Sequence, residues 1–144
     1  MYSIESFAQS GSITISTDPT SLGTWAINNS IYTFTPNSSN SSSVVNITDI
    51  TNRLLGNGFT AGDVIIGSSS ASNIIVNDDI IVGNTKASKN LTLSSGANIT
   101  INAQINTSTS SGNGGNISFV TTGGYIILDN TANLNASGTS TGGA

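Results

Sequence analysis

Residues 90–138 carry one pattern twice. NLTLSSGANITINAQINTSTSSGNGG is followed by NISFVTTGGYIILDNTANLNASG, an imperfect copy. Leu91 and Leu93 answer to Ile117 and Phe119, Ile99 and Ile101 to Ile126 and Leu128, and Ile105 to Leu134. The spacing between the copies describes a stack of similar units rather than a closed globule. Within each copy apolar and polar residues alternate (L-T-L, I-T-I, I-S-F), which marks short strands with one buried face. Clusters of Gly, Asn and Ser at 94–96, 110–115 and 122–124 break the strands. Such residues supply tight-turn and left-handed conformations at small steric cost. Three short strands with their corners make one coil of a parallel β-helix, and successive coils stack at about 4.8 Å.

The pattern extends upstream. Gly62-Asp63-Val64-Ile65-Ile66, Asn73-Ile74-Ile75-Val76 and Ile80-Ile81-Val82 read as another copy. The interval from Val64 to Leu91 equals that from Ile74 to Ile101, one repeat length in each case. Segments starting near 62, 90 and 116 are therefore three successive coils, about the minimum for a stable stack. Before them, Ser12–Ser16 reads as a strand and Asp18-Pro19-Thr20 as a turn. Trp25-Ala26-Ile27 and Ile31–Thr35 are strands joined by a tight turn at Asn28-Asn29-Ser30. The aromatic residues of this part are expected to close one end of the stack or fill an irregular coil, with Trp25 in the core. Pro36–Ser43 is a polar loop between coils. Thr48–Gly56 is the one helix-like stretch: Thr48 or Asp49 caps it, Ile50 and Leu54 share a face, and Gly56 ends it. The expected fold is all-β, a parallel β-helix (β-solenoid) of about five coils of roughly 26–29 residues in a single segment, 1–144. Irregular, aromatic-containing coils occupy 1–61, and the three clearer coils occupy 62–144.

Composition narrows the function. Only 7% of the 144 residues are charged, against about 25% in ordinary soluble domains. Asn, Ser, Thr and Gly supply the polarity instead. Recurring Ile and Val at strand spacing argue for a folded chain rather than a disordered one. The net charge is −4, and Arg53, Lys86 and Lys89 are the only Lys or Arg residues, which argues against nucleic acid as a partner. No Cys and no His are present, so neither a disulfide framework nor their metal chemistry is available. No apolar run is long enough to span a membrane. The first residues, MYSIESFAQSGS, lack the basic and apolar regions of a signal peptide.

Several pieces, in order, resemble a known family. They are Trp25-Ala26-Ile27; Ile50–Gly58 (ITNRLLGNG); Asn73–Val76 with Ile80; Leu91-Thr92-Leu93; Asn98–Ile105 (NITINAQI); Gly114–Ile117; and Ala132–Gly138 (ANLNASG). Residues 25–138 are similar to the repetitive β-helical passenger of filamentous-haemagglutinin-type bacterial exoproteins, the large adhesins exported by two-partner secretion. The resemblance implies a right-handed helix and a secreted or cell-surface location. It also implies an outer-membrane transporter for the parent protein and a glycan or protein receptor on a host cell or other surface. On this view the chain is a non-enzymatic structural and adhesive segment that presents polar loops on a rigid rod. The repeat strand Asn133–Ala136 and the corner 138–144 make it read as part of a longer rod.

A second reading is a β-helical carbohydrate-active enzyme, a polysaccharide lyase or hydrolase, or a carbohydrate-binding module. Such enzymes gather paired carboxylates on one face. Asp63, Asp78 or Asp79, and Asp129 are the candidates, to stack across coils or to sit as solvated corner residues. Adjacent residues of one strand face opposite sides, so Asp78 and Asp79 in one strand make no dyad. The glycines of Gly112–Asn116 lack the Asp of a calcium-binding nonapeptide. Asn37, Asn46, Asn90, Asn98, Asn116 and Asn135 each begin an Asn-x-Ser/Thr triplet, a pattern that a chain this rich in Asn and Thr produces by chance. An ice-binding array would need outward Thr33, Thr35, Thr92 and Thr100 in regular rows, yet outward positions mix Thr with Ser and Asn. The expectation is no catalytic residue, no metal and no cofactor.

Overall fold

The structure, a computed structural model, describes residues 11–37, 42–67, 72–82 and 89–139. The middle of the polar loop, Lys86 and the end of the final corner lie outside the described residues. The chain forms a parallel β-solenoid of about four turns, built from three sheets. The first sheet runs in the order β4 (Ser43–Asn46), β1 (Ile13–Ser16), β6 (Ile74–Val76), β9 (Ile99–Ile101), β12 (Ile126–Leu128). The second runs β2 (Gly23–Asn28), β3 (Ile31–Pro36), β5 (Asp63–Gly67), β8 (Leu91–Ser95), β11 (Ile117–Thr121). The third is β7 (Ile80–Ile81), β10 (Gln104–Asn106), β13 (Asn133–Asn135). The regular coils are β5-β6-β7, β8-β9-β10 and β11-β12-β13.

Alternation in the sequence becomes columns in the core. Ile13, Ile74 and Ile99 stack in one column and Ile15, Val76 and Ile101 in the next, all 0% exposed. Val64 over Leu91 and Ile66 over Leu93 form the matching columns of the second sheet. Each such side chain contributes about 1.5–3 kcal/mol by leaving water. The pairs proposed from the sequence are register partners: Leu91 with Ile117, Ile101 with Leu128, and Ile105 with Leu134. Ile101 is fully enclosed. Ile126 and Leu128 occupy the same columns yet are 47% and 54% exposed, because no described strand lies beyond β12.

Two expectations are corrected. Ile74 pairs with Ile99, not Ile101, so the repeat there is two positions shorter than expected. The corner between β5 and β6 is correspondingly longer than that between β8 and β9: Ile66 to Ile74 spans eight positions, and its partners Leu93 to Ile99 span six. A slip of two positions keeps the same residues inside, so the apolar pattern alone does not register it. The coils number about four, not five, because the N-terminal strands do not add turns in chain order. β4 follows β3 in sequence but lies outside β1 in the first sheet. β2 folds back antiparallel on β3, with Asn29 and Ser30 both at positive φ in the connecting turn.

These departures cover β3 and β4 at the N-terminal end, where β2 becomes the last strand of the second sheet. β2 covers β3, and Ser21 bridges β4. Helix α1 (Ile47–Leu55) packs against β4, β5 and β7 and takes the place of a strand beyond β7. Its N-cap is Asn46 rather than Thr48 or Asp49: Asn46 is still extended, and its side chain accepts from the Thr48 N–H at 2.7 Å. Gly56 ends the helix in the left-handed region, as its freedom from a Cβ allows. Ile50 and Leu54 are buried on one face. Trp25 is half-buried against the core, its ring edge-on to Phe34 at 5.3 Å between centroids. Arg53 is almost enclosed there, its guanidinium carbon 4.0 Å from the centre of the Trp25 ring and 4.3 Å from that of Phe59. Burial lowers its pKa, while Asp49 and Tyr32 act in the opposite direction. The stacked rings favour the cation that burial penalises.

Candidate functional site

The acidic residues are the only groups named above for catalysis, and the structure gives most of them a partner in a neighbouring part of the chain. Asp63 Oδ1 accepts from the Asn90 N–H at 2.8 Å, one coil away. Asp79 Oδ1 accepts from the Gln104 N–H at 2.8 Å, again one coil away. Asp78 Oδ2 accepts from the Thr17 N–H at 2.9 Å. Asp49 Oδ2 accepts from the Thr20 hydroxyl at 2.5 Å. Asp63 and Asp79 thus hold a backbone N–H of the following coil, and Asp78 holds one just after β1 on the other side. Asp129 is exposed at the end of β12, at the register position of Asn102. Asp78 and Asp79 lie together in the corner before β7, whereas Asp63 opens β5 on a different sheet and Asp129 sits in the last coil. The four candidates do not converge.

Asparagines extend the same device into ladders. Asn90 Oδ1 accepts from the Asn116 N–H at 2.9 Å, so Asp63, Asn90 and Asn116 form one ladder at the entrance to the second sheet. Asn73 Oδ1 accepts from Asn98 N–H, and Asn98 Oδ1 from Tyr125 N–H, at the entrance to the first. Asn102 Nδ2 donates to Asn77 Oδ1 at 3.1 Å at its exit. At the two entrances each acceptor satisfies a backbone N–H at a corner, where the chain is outside the sheet, and the bond at the exit joins two side chains. The triplets at Asn90, Asn98 and Asn116 follow from this: a corner Asn, an inward apolar residue, then an outward Ser or Thr. Asn46 uses both ends of its amide, donating through Nδ2 to the Thr17 and Asp18 carbonyls. Replacing Asp63 with Ala is expected to cost about 1 kcal/mol, and replacing it with Asn, which keeps an acceptor, much less. Denaturant midpoints of the two variants check this; equal losses would mean that the ladder bond contributes nothing.

A shallow groove of about 420 Å³ runs beside these ladders, lined by Thr17, Ile47, Asn77, Asp78, Asp79, Asn102, Ala103 and Thr131. It offers carboxylate, amide and hydroxyl groups to a polar ligand. Among the described residues no aromatic side chain lines it as a stacking platform for a sugar ring. Among the described residues no group of three or more acidic residues is placed to hold a metal ion. The glycine-rich segment 112–116 belongs to a loop that stacks on the next coil: Thr109 N–H donates to Ser137 O and Thr107 N–H to Asn135 O. No helix among the described residues is long and apolar enough to cross a membrane.

Thr33 and Thr92 fall in one outward row of the second sheet, Ala26-Thr33-Ile65-Thr92-Ser118, whereas Thr35 pairs with Thr24 at the outer edge of that sheet. Apolar residues interrupt the Thr of that row, and the outward positions of the third sheet are Gln104, Asn106, Asn133 and Asn135. Thr100 lies on the first sheet. Compared with family models, curated proteins and solved structures, the chain matches none.

Proposed function

We propose that this chain is a non-enzymatic structural and adhesive segment of a bacterial surface or secreted exoprotein of the filamentous-haemagglutinin type. The observation that supports it most is the employment of the acidic residues. Three of the four candidate acids, Asp63, Asp78 and Asp79, each hold a backbone N–H elsewhere in the stack, and the fourth, Asp129, stands apart from them in the last coil. Stacked coils joined by such ladders make a stiff rod, and the rod displays its polar corners along its length. Binding shared over many weak polar contacts gains strength from multiplicity. The partner in this reading is a glycan or protein receptor on a host cell or other surface, and export of the parent protein uses an outer-membrane transporter.

The test has two arms. Beads densely coated with the chain should be retained on cell layers or glycan surfaces far better than the soluble monomer binds. Retention no better than that of beads coated with an unrelated Ser/Thr-rich protein would overturn the adhesive reading. In the second arm, a panel of polysaccharides is incubated with the chain and no cleavage is expected. Cleavage abolished by Asp79→Asn or Asp129→Asn would replace the rod with an enzyme.

A further inference from the structure

Asn-Gly occurs twice, at Asn57-Gly58 and Asn113-Gly114, and the structure sets the two apart. Asn57 and Gly58 are both exposed, in the loop that follows α1. The Asn57 N–H donates to Asn52 O at 2.9 Å, so the chain is held as far as that residue. Beyond it, Gly58 has a φ of 73°, and a Cβ built on it would meet no atom within 4 Å. Among the described residues nothing accepts from the Gly58 N–H. Asn113 is exposed as well, but its loop is clamped on both sides. Gly112 N–H donates to Thr139 Oγ1, Thr139 N–H to Gly112 O and Gly115 N–H to Thr107 O, each within 3.1 Å. A Cβ on Gly114 would lie 2.3 Å from Ala136 O and 2.5 Å from Ser137 O, so the backbone of the last coil leaves Gly114 little room to turn.

We propose that Asn57 is a site of spontaneous covalent modification, at which the Gly58 nitrogen closes a ring on the Asn57 side chain. The bond from Gly58 N to Asn57 Cγ forms and the Cγ–Nδ2 bond breaks. Nδ2 leaves as ammonia, carrying the proton of the Gly58 N–H. Water then opens the cyclic imide. Cleavage at Cγ leaves aspartate at position 57, and cleavage at the main-chain carbonyl carbon leaves isoaspartate, with the backbone running through the side chain. The attack requires the peptide nitrogen to swing toward the Asn side chain. Gly, with no Cβ, hinders that movement least, and an N–H without an acceptor gives up no hydrogen bond to make it. At Gly114 the clamped loop must open first, and the free energy of that opening adds to the barrier. Either product adds one negative charge to a chain whose net charge is −4. It does so two residues from Phe59, whose ring lies against the Arg53 guanidinium. The inference does not rest on the adhesive reading.

The folded chain is kept in mildly alkaline buffer, digested in acid, and mapped by mass spectrometry over time. Asn57 should convert about tenfold faster than Asn113, a barrier difference of about 1.4 kcal/mol, and isoaspartate should be among the products at position 57. In denaturant, where no loop is clamped, the two sites should convert at similar rates. Gly58→Ala should slow conversion of Asn57 about tenfold and leave Asn113 unchanged. Asn57→Gln, which keeps the Gly and lengthens the side chain, should slow conversion at position 57 in the same way. A folded chain in which Asn113 keeps pace with Asn57 would overturn the proposal. So would an Asn57 that stays intact while the denatured chain converts. Aspartate without isoaspartate would overturn it as well, since the amide would then be lost by direct hydrolysis and not through the ring.

Discussion

Ile101→Asp is expected to unfold the central coils or to destabilise the chain by several kcal/mol. Ile101 is 0% exposed and pairs with Val76 on one side and Leu128 on the other. An Asp there places a carboxylate in a column of aliphatic side chains that offers it no partner. Burying such a charge is costly enough that the group would take up a proton or the coil would open. The loss should lessen as the pH falls and the carboxyl protonates. That pH dependence separates a charge effect from simple loss of volume, which Ile101→Ala reports at about 2–5 kcal/mol. A thermal melt indistinguishable from that of the unchanged chain would show that Ile101 does not face the core.

Phe34→Ala should be nearly as damaging, at about 3–5 kcal/mol. Phe34 is the bulkiest of the fully buried side chains, and it supports Trp25 from below through an edge-on ring contact. Trp25 in turn covers the Arg53 guanidinium. Loss of the Phe34 ring therefore loosens the closure of the N-terminal end as well as leaving a cavity. Trp25 is the only tryptophan, so its fluorescence reports that end alone. The expected result is red-shifted emission that appears at lower denaturant than the loss of far-ultraviolet strand signal. Coincident transitions at the original midpoint would mean that Phe34 carries no such burden.

The contrast between the two halves of the chain shows what one-dimensional pattern conveys. From Leu91 onward apolar residues alternate with polar ones, Val120 and Ile127 excepted, and each inferred partner is a partner in the structure. Alternation reports which side chains face inward, and its period is two. It therefore left Ile74 equally matched to Ile99 and Ile101, and only the length of the corner after Gly67 decides between them. The helix start shows another limit. Asn46, Thr48 and Asp49 are all competent caps, and the choice falls to the residue whose backbone is still extended where the strand β4 ends. The roles of Asp63 and Asp79 depend on which N–H lies one coil away along the chain. A local reading of corner carboxylates has no access to that distance, although the recurrence of Asn or Asp immediately before the strands carried the signal. The placement of β4 outside β1 left no trace in the local sequence, because both strands alternate in the same way.

That placement has a consequence for the order in which the molecule takes shape. β1 lies between β4 and β6, and Ile13 pairs with Ser43 on one side and Ile74 on the other. A chain that appears from its N-terminus must wait until Val76 has emerged before its first strand has both neighbours. Until then Ile13 and Ile15 are held from one side at most. The regular coils have no such delay, because each strand meets the one laid down a single coil earlier. The first strand to be made is thus locked after strands made later, and the earliest part of the chain depends on the coils to come.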